Sequence, residues 1–336
     1  MGIDVQGRIR ASEWVQQHNI LIRDLVLLPF ILLLFHLSSF AAFQETLWGA
    51  RPAALVGVYT ALADDANAPS YNPAGISLMA ADEITITYAQ LYTGVDLFAG
   101  NNTSRLGLGY FSYIPNIMDK RYGSFGFSWS NFQATHLLRE DTFAFTYADS
   151  LEFARHNSNP VLSYGLNLKY LKRSFQTDSL SSQDPVFRGG SGADAVTVDV
   201  GLMYRPHFLI FPGLKFGAAI LNVTEPDIGL SSEDRVPARY SLGVAYQDRS
   251  VRWLNPAIEI SKRDDRTILA AAYEGWFMKD SFAIRFGGNE DQLGGGFGYQ
   301  FRAGSRLILR LDYAILWPLD VEGTDGSHRI SITTNF

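Results

Sequence analysis

Few side chains of this sequence have the types and spacing that catalysis or metal binding requires. Beyond residue 41 the chain has four histidines, and none stands at the spacing of a metal-binding pair: His136, His156, His207 and His328. No Gly-x-Ser-x-Gly sequence occurs to present a nucleophilic serine. The absence of cysteine excludes thiol catalysis and cysteine-based metal sites. The residues therefore predict a protein that is not an enzyme and that has no metal and no cofactor.

The glycine-rich run from Gly294 to Gly298 is the closest approach to a phosphate-binding loop. It lacks the Lys-Ser/Thr that completes such a loop, and it opens a strand pattern rather than a helix. We therefore expect another backbone to come close to these glycines. A net charge of −6 argues against nucleic-acid partners, because phosphate binding needs a basic surface.

The most conspicuous charged pair is Asp64-Asp65, within residues 49–75. This is the only long segment after the leader without a strand or turn pattern, and Leu55, Tyr59 and Leu62 recur at the spacing of a short amphipathic helix. At the C-terminal end of that predicted helix, the macrodipole disfavours two carboxylates. We therefore expect cationic partners for them, such as Arg285 or Arg310. The alternative is a solvated turn.

The Asn72-Pro73-Ala74-Gly75 sequence predicts a type I turn, with Asn, Pro and Gly at their preferred positions. After this turn the chain alternates with a period of two. In residues 124–132, Phe125, Phe127 and Trp129 share one face, and Gly126 and Ser128 lie on the other. Such alternation is typical of strands with one apolar face and one polar face.

About 14 such runs follow, each near the length of a tilted membrane strand, and an even count is what a bacterial outer-membrane barrel requires. They begin near Glu83, Ser104, Tyr122, Asp141, Val161, Ala195, Leu214, Ala238, Val251, Thr267, Ser281, Gly294, Arg306 and His328. We expect the odd-numbered connections to be long and extracellular, and the even-numbered ones to be short and periplasmic.

A soluble β-sandwich would alternate too, but its outward faces would be rich in Lys, Glu and Thr. Here the second face is mostly Gly, Ala, Ser and Asn, and only 18% of residues are charged, against roughly 25% in soluble chains. The sequence therefore favours an all-β transmembrane antiparallel β-barrel. Tyr and Trp at strand ends fit an interfacial girdle: Tyr92, Tyr122, Trp253, Trp276 and Trp317.

The polar faces of the predicted strands carry scattered charges: Lys169, Asp199, Lys215, Glu259, Arg285, Arg310 and Asp312. If the apolar faces meet lipid, these side chains point into the lumen. Their signs are mixed, which favours pairing with a segment inside the barrel over a filter for one ion.

Residues 25–37 form an apolar run that is too short to span a bilayer comfortably. The small residues Ser38, Ser39, Ala41 and Ala42 follow it, so residues 1–41 are predicted to be a cleaved signal peptide. The alternative is a membrane anchor that stays attached. Residues 1–24 have no net charge, which is atypical for a signal peptide and suggests that the start lies too far upstream.

The string from Gly49 to Gly75, GAR…ALADDANA…NPAG, resembles the PorV/PorQ family of outer-membrane proteins, relatives of the FadL transporters of hydrophobic compounds. Residues 217–247 are similar to a second family stretch. The glycine pair that often follows the GAR motif is Val56-Gly57 in this chain. The resemblance implies a lumenal hatch, residues 42–82, inside a 14-stranded barrel of residues 83–336. It implies hatch-motif roles for six residues: Asp64, Asp65, Asn67, Asn72, Pro73 and Gly75.

The resemblance implies a bacterial outer-membrane protein that assists type IX protein secretion or the surface attachment of cargo. FadL-like uptake of a hydrophobic ligand is the alternative. The expected partners are outer-membrane lipid, the barrel-assembly machinery, a secretion translocon and its cargo proteins. Phe336 is the last residue, on the face of Ile330 and Ile332, and barrels of this class end in such an aromatic that the assembly machinery reads.

Overall fold

A computed structural model of the chain describes residue 43 and residues 46–79, 81–95, 106–115, 122–134, 137–152, 161–177, 184–187, 189–206, 211–248, 250–304 and 307–336. The predicted signal peptide, residues 1–41, lies outside the described residues, as do His136, His156 and His207. Among the helices of the described ranges, none is both long enough and apolar enough to cross a membrane.

The described residues contain fourteen antiparallel strands that close into a barrel, each strand bonded to its neighbours in sequence and β1 bonded to β14. The strands are β1 Glu83–Thr93, β2 Leu106–Ile114, β3 Ser124–Ala134, β4 Leu138–Glu152, β5 Val161–Phe175, β6 Gly192–Arg205, β7 Leu214–Leu221, β8 Arg239–Tyr246, β9 Asn255–Arg263, β10 Arg266–Phe277, β11 Phe282–Gly288, β12 Gln292–Ala303, β13 Leu307–Pro318 and β14 Gly326–Asn335. The prediction of a 14-stranded barrel is confirmed.

The two faces of each strand differ as the alternation predicts. On β4, Phe145 points outward and is 64% exposed, whereas Thr146 points inward and is 3% exposed. Rings on neighbouring strands pack against each other on the outer surface, as Phe127 does against Phe145 with 5.2 Å between centroids. An apolar outer face and a polar inner face are the arrangement of a membrane-spanning barrel.

The barrel has a near end, where β1 begins at Glu83 opposite Asn335, and a far end, where Thr93 meets Gly326. The connections at the far end vary in length. Those over residues 176–191 and 222–238 are long, as predicted, but β9 and β10 are joined only by residues 264–265, and β11 and β12 by residues 289–291. The expectation that every odd-numbered connection is long is therefore wrong.

The hatch has little regular structure. It contains α1, Ala50–Ala54, and two 3-10 helices, Ala68–Ser70 and Pro73–Leu78. The predicted amphipathic helix through Leu62 is wrong, because Val56 and Gly57 adopt left-handed backbone angles, φ 47° and 81°, and end α1 after one turn. The turn prediction is confirmed: the Gly75 N–H bonds the Asn72 carbonyl at 3.0 Å, and the turn opens the second 3-10 helix.

The hatch fills the lumen and forms most of the apolar core of the described chain. It runs from the far end to the near end. Phe43 bonds Glu140 and Arg263, which lie at the far ends of β4 and β9. Toward the near end, the side chains of Ile76 and of Ile114, the last residue of β2, both lie beside Gly126. The hatch therefore occupies the length of the barrel.

Candidate functional site: the hatch–wall contact

Arg51 is the centre of the contact between the hatch and the wall. It lies on α1, and its side chain is almost fully buried. Its guanidinium donates to Glu274 on β10 at 2.8 and 3.0 Å. It also donates to the hatch residues Tyr59 at 2.8 Å, Asp64 at 2.6 Å and Asp65 at 2.9 Å. One hatch cation thus joins three carboxylates from two parts of the chain.

The ion pairs continue along the wall and return to the hatch. Glu274 also accepts from Arg285 at 2.6 Å, and Arg285 donates to Asp312 at 2.8 Å. Asp312 accepts from Arg310 at 2.7 Å, and Arg310 donates to Asp65 at 2.8 Å. These contacts close a ring of alternating charge, here called the ion-pair ring: Arg51, Glu274, Arg285, Asp312, Arg310 and Asp65.

The ion-pair ring is neutral and buried, since its three arginines match its three carboxylates and each side chain is at most 10% exposed. Trp276 closes one side: its indole N–H donates to Glu274 at 3.0 Å, and its ring lies 5.5 Å from the Arg285 guanidinium. Trp276 is therefore a lumenal residue, and its prediction as part of an interfacial girdle is wrong. Removing one partner of such a buried pair leaves an uncompensated charge, which is strongly destabilising.

The hatch carboxylate of the ring is held in its charged form. Burial by itself would raise the pKa of Asp65, but the charges of Arg51 and Arg310 outweigh this effect. The backbone N–H of Asn67 also bonds this carboxylate, and the pKa of Asp65 falls well below its ordinary value. The pKa of Arg51 is correspondingly raised, because its carboxylate neighbours outweigh the effect of burial. Both groups therefore stay charged at neutral pH.

Further contacts hold the hatch around its circumference. Glu259 on β9 accepts the backbone N–H groups of Tyr59 and Thr60 at 3.0 and 2.9 Å. Glu83 at the start of β1 accepts from the Ala66 N–H at 2.6 Å. Asn72 donates to the Leu202 carbonyl on β6 at 3.0 Å. Glu259 and Glu83 thus satisfy backbone N–H groups of the hatch, and Asn72 satisfies a carbonyl of the wall.

Glycines of the wall allow the hatch backbone to approach closely. A Cβ added at Gly294 would lie 2.9 Å from the Ala54 carbonyl oxygen, and one at Gly296 would lie 2.8 Å from the Ala54 Cβ. The expectation that another backbone comes close to this glycine cluster is therefore confirmed for these two positions. Gly295 lies between them and has open space around it.

The predicted lumenal charges all lie on the inward face of the wall, although not all belong to the ion-pair ring. Lys169 and Asp199 pair with each other at 2.7 Å. Lys215 bonds Gln247 and lies 3.7 Å from Asp64. Of the two expected partners for the aspartates, Arg310 contacts Asp65, whereas Arg285 pairs with wall carboxylates.

The remaining predicted hatch residues support the local chain path. The Asn67 side chain donates to Asp65 at 3.0 Å. Asn72 caps the second 3-10 helix, Pro73 begins it, and Gly75 packs against Ala63. Phe336 follows β14 at the near end, where its N–H bonds the Asp82 carbonyl at 3.1 Å. The described residues contain no group of three or more His, Cys, Asp or Glu placed to hold a metal ion.

Two residues of the ion-pair ring escape the sequence reasoning, Arg51 and Glu274. Arg51 precedes a proline and stands in an otherwise apolar stretch. A single charge in such a stretch indicates a buried partner. Glu274 follows Ala270 and Ala272 on the inward face of β10, so the alternation alone could have placed it in the lumen. Nothing in either segment indicates that the two side chains meet.

Several cavities remain beside the hatch, and one of them, of about 390 Å³, is lined by Val56 and Gly57 of the hatch and by Glu259 of the wall. The far-end cavity, of about 110 Å³, is lined by hatch residues such as Trp48 and Ser70 and by Ser128, Ser130 and Thr142 on the wall. The near-end cavity, of about 640 Å³, is lined by polar and charged side chains that include Asp64, Arg205 and Lys215.

Several solved structures share this architecture. A FadL homologue of Pseudomonas aeruginosa is 14% identical with a TM-score of 0.51, covering 86% of this chain and 98% of that chain. The toluene transporter TbuX of Ralstonia pickettii is 13% identical with a TM-score of 0.54, over 86% and 97% of the two chains. A deletion mutant of the monoaromatic hydrocarbon channel TodX is 13% identical with a TM-score of 0.55, over 86% and 98%. At these identities the similarity shows the fold.

The family comparison adds an assignment that the fold alone does not carry. The sequence has no match among curated proteins. The family described as "Type IX secretion system membrane protein PorP/SprF" matches residues 58–334, which include most of the hatch and the whole wall up to Thr334. The family shown is thus named differently from the PorV/PorQ family of the sequence resemblance, although both names belong to type IX secretion. The chain is a membrane β-barrel of outer-membrane type and belongs to the PorP/SprF family.

Proposed function

We propose that this protein is a non-enzymatic, plugged barrel of the bacterial outer membrane that serves type IX protein secretion through its surfaces rather than through its lumen. The observation that carries the proposal is the ion-pair ring, which ties the hatch to β10, β11 and β13 inside the barrel. The family description supplies the secretion context. A barrel whose lumen is filled and bonded from end to end is suited to holding partners, not to passing a polypeptide.

The expected partners follow from this arrangement. In the proposed orientation the near end faces the periplasm, and the far end, with its long connections over residues 176–191 and 222–238, faces outward. A secretion translocon and its cargo would meet these outer surfaces. More specifically, we propose a PorV-like role, in which the barrel receives cargo from the translocon and passes it to the complex that attaches cargo to the cell surface. The barrel-assembly machinery and outer-membrane lipid would meet the wall.

FadL-like uptake of a hydrophobic small molecule is the second candidate, and one observation favours it. An apolar hollow of about 700 Å³ lies on the outer face of the wall, lined by residues such as Leu202, Phe216 and Leu242. The structure of the wall beneath this hollow argues against uptake. There β7 pairs in register with β6 and β8, and Gly217 packs against Thr60 of the hatch, so no lateral opening leads from the hollow to the lumen.

The decisive experiment locks the hatch. The chain has no cysteine, so a pair introduced by Ala50→Cys and Ser331→Cys would be the only candidates for a disulfide. These positions are in contact, because the Ala50 N–H bonds the Ser331 hydroxyl at 2.8 Å. Secretion through surfaces should continue at the wild-type level when the disulfide forms, as judged by cargo in the medium and at the cell surface. Uptake should stop if it needs a mobile hatch.

The control is the single variant Ala50→Cys, which carries the same hatch substitution without the link. Loss of secretion only in the oxidised double variant, with recovery on reduction, would contradict the proposal. Gentle detergent extraction of the tagged wild type, followed by mass spectrometry, gives an independent reading. Co-purified translocon or cargo proteins support the secretion role, and bound hydrocarbon or lipid alone supports uptake.

A further inference from the structure

The strand pair that closes the barrel is β1–β14, here called the seam. Every other pair joins strands that follow one another along the chain, whereas the seam bonds Thr87 to Ser331, which is 244 residues away. The entropic cost of bringing two segments together rises with the length of chain between them. Hairpins therefore form readily, and the seam depends most on help from elsewhere in the molecule.

The hatch bonds the last strand at two places. The Ala50 N–H donates to the Ser331 hydroxyl at 2.8 Å, and the Arg329 guanidinium donates to the Leu47 carbonyl at 2.9 Å. Both β14 side chains are buried. Since each bond uses a backbone group of the hatch, the two bonds fix the path of the hatch main chain along β14.

The other end of the hatch is bonded to the first two strands. Glu83, the first residue of β1, accepts the Ala66 N–H at 2.6 Å across only 17 residues. Tyr110 of β2 donates to the Ala66 carbonyl at 3.0 Å. Because the hatch, β1 and β2 are consecutive in the chain, they can form one local unit. The hatch bonds to β14 then hold β1 near its partner, which raises the effective concentration of one strand at the other.

Ser331 joins the hatch and both strands of the seam directly. Besides accepting the Ala50 N–H, its hydroxyl bonds the Thr87 hydroxyl of β1 at 2.7 Å. Two residues further on, Thr333 makes the same kind of bond to Thr85, at 2.8 Å, but within the described part of the chain it bonds no residue of the hatch. The seam thus contains two similar hydroxyl pairs, of which one includes the hatch.

The close fit of the hatch indicates that the wall is open when the hatch enters. On β5, β7 and β11, a Cβ added at Gly165, Gly217 or Gly287 would overlap backbone atoms of the hatch. The hatch also carries Arg51 and Asp65, whose partners lie on the inward faces of β10 and β13. A closed barrel packed this tightly leaves no path along which a charged segment could be threaded.

We propose that the hatch templates the closure of the barrel. It docks on β14 through Ser331 and Arg329 while the wall is open, and it thereby guides β1 into register with β14. The hatch then has a function in assembly in addition to filling the lumen. This function is the same whether the assembled barrel serves secretion or uptake, so its test is independent of the proposed function.

Closure of the seam can be followed with an introduced cysteine pair. Ile86→Cys and Ile332→Cys lie opposite each other on the outer face of the seam, in a chain that has no other cysteine. During refolding of the full chain from urea into lipid vesicles, short pulses of oxidant link this pair once the seam has formed. Ile260→Cys with Leu269→Cys reports on the β9–β10 hairpin in the same way.

The matched variants are Ser331→Ala and Thr333→Val, each added to the seam pair. Each removes one hydroxyl bond across the seam, but only Ser331→Ala also removes a bond to the hatch. Ser331→Ala should slow the seam link about fivefold more than Thr333→Val does, which is the factor expected for one net hydrogen bond that is already made during closure. The rate of the hairpin link should be unchanged by Ser331→Ala.

Equal rates of the seam link in Ser331→Ala and Thr333→Val would overturn the proposal, as would an equal slowing of the hairpin link. The order of events gives a second test, which applies even if Ser331→Ala fails to fold. With the seam pair alone, the hatch should gain protease protection before the seam link forms or together with it. A linked seam around a hatch that is still digested would show that the hatch enters a closed barrel, and this result would refute the proposal.

Discussion

Arg51 of the hatch and Glu274 of β10 form a bidentate ion pair that joins the hatch to the wall, with nitrogen–oxygen distances of 2.8 and 3.0 Å. They are separated by 223 residues, and both are buried. Glu274 also binds Arg285, and Arg51 also binds Asp65, so this pair is one link of the ion-pair ring. The stability of the plug should therefore depend on each member of the ring.

The first prediction concerns Glu274→Gln, which removes one negative charge and leaves Arg51 and Arg285 without their shared carboxylate. Breaking a buried pair in this way costs about 3–5 kcal/mol. We expect the barrel to insert but the hatch to lose protease protection, with a lower unfolding temperature on heated gels. The matched control is Arg235→Ala, which breaks the Arg235–Glu233 pair, whose side chains are 63% and 59% exposed, and should cost about 0–1 kcal/mol. Equal effects of the two substitutions would contradict the role of the ring.

The second prediction separates the two hatch aspartates. Asp65 belongs to the ring and is almost fully buried, whereas the Asp64 side chain is 24% exposed and lies beside the near-end cavity. Asp65→Ala should therefore release the hatch and raise small-solute conductance in planar bilayers. Asp64→Ala should raise the conductance less, because water from the near-end cavity can reach the cationic groups that lose their partner. A larger effect at Asp64 would show that the ring is not the main anchor.

The third prediction concerns pH. The pKa of Asp65 is lower in the folded protein than in the unfolded chain, so its contribution to stability is complete above its ordinary pKa of 3.8 and is lost as the pH falls toward the folded value. Arg51 and Arg310 face this carboxylate, and Glu83 bonds the adjacent Ala66 N–H. The contribution of Asp65 to the protection of the hatch against an acid-stable protease should therefore decline as the pH falls below about 4.

The Asp65→Asn variant is the control for the pH experiment. It should be less protected already at neutral pH and should show a weaker decline in acid, because the titrating group is gone. The same decline in the wild type and in Asp65→Asn would assign the acid sensitivity to other groups.

The fourth prediction concerns the outer face. Phe145 lies in the middle of β4 and points away from the lumen, so Phe145→Lys should place a charge in the bilayer at a cost of about 2–4 kcal/mol. We expect less folded barrel in liposome insertion assays. Phe145→Leu keeps an apolar side chain and should insert as the wild type does. Normal insertion of the lysine variant would contradict the assignment of this face to lipid.

The fifth prediction concerns the C-terminus. The Phe336 side chain is 48% exposed, and its backbone N–H donates to the Asp82 carbonyl. Deleting Phe336 should therefore reduce the amount of barrel assembled in cells more than it lowers the unfolding temperature of the barrel that is assembled. Outer-membrane levels equal to the wild type would rule out a role in assembly.

The sequence by itself determined the wall. A period of two is a local property, since successive side chains on a strand point to opposite faces, and each face must match lipid or lumen along its whole length. The strand starts were accordingly predicted within four residues, the largest difference being Val251 against the observed Asn255. The same alternation placed Arg285, Arg310 and Asp312 in the lumen before any partner was known.

Only the tertiary structure decided which charges meet. The ion-pair ring joins residues 51, 65, 274, 285, 310 and 312, and no local pattern relates the hatch to one side of a closed barrel. The path of the hatch also depended on the fold. Leu55, Tyr59 and Leu62 are all buried, as a helical stripe would be, yet Val56 takes a left-handed conformation inside a lumen that surrounds it on every side. Burial from all directions removes the need for a single apolar face, so helical periodicity could not predict the conformation there.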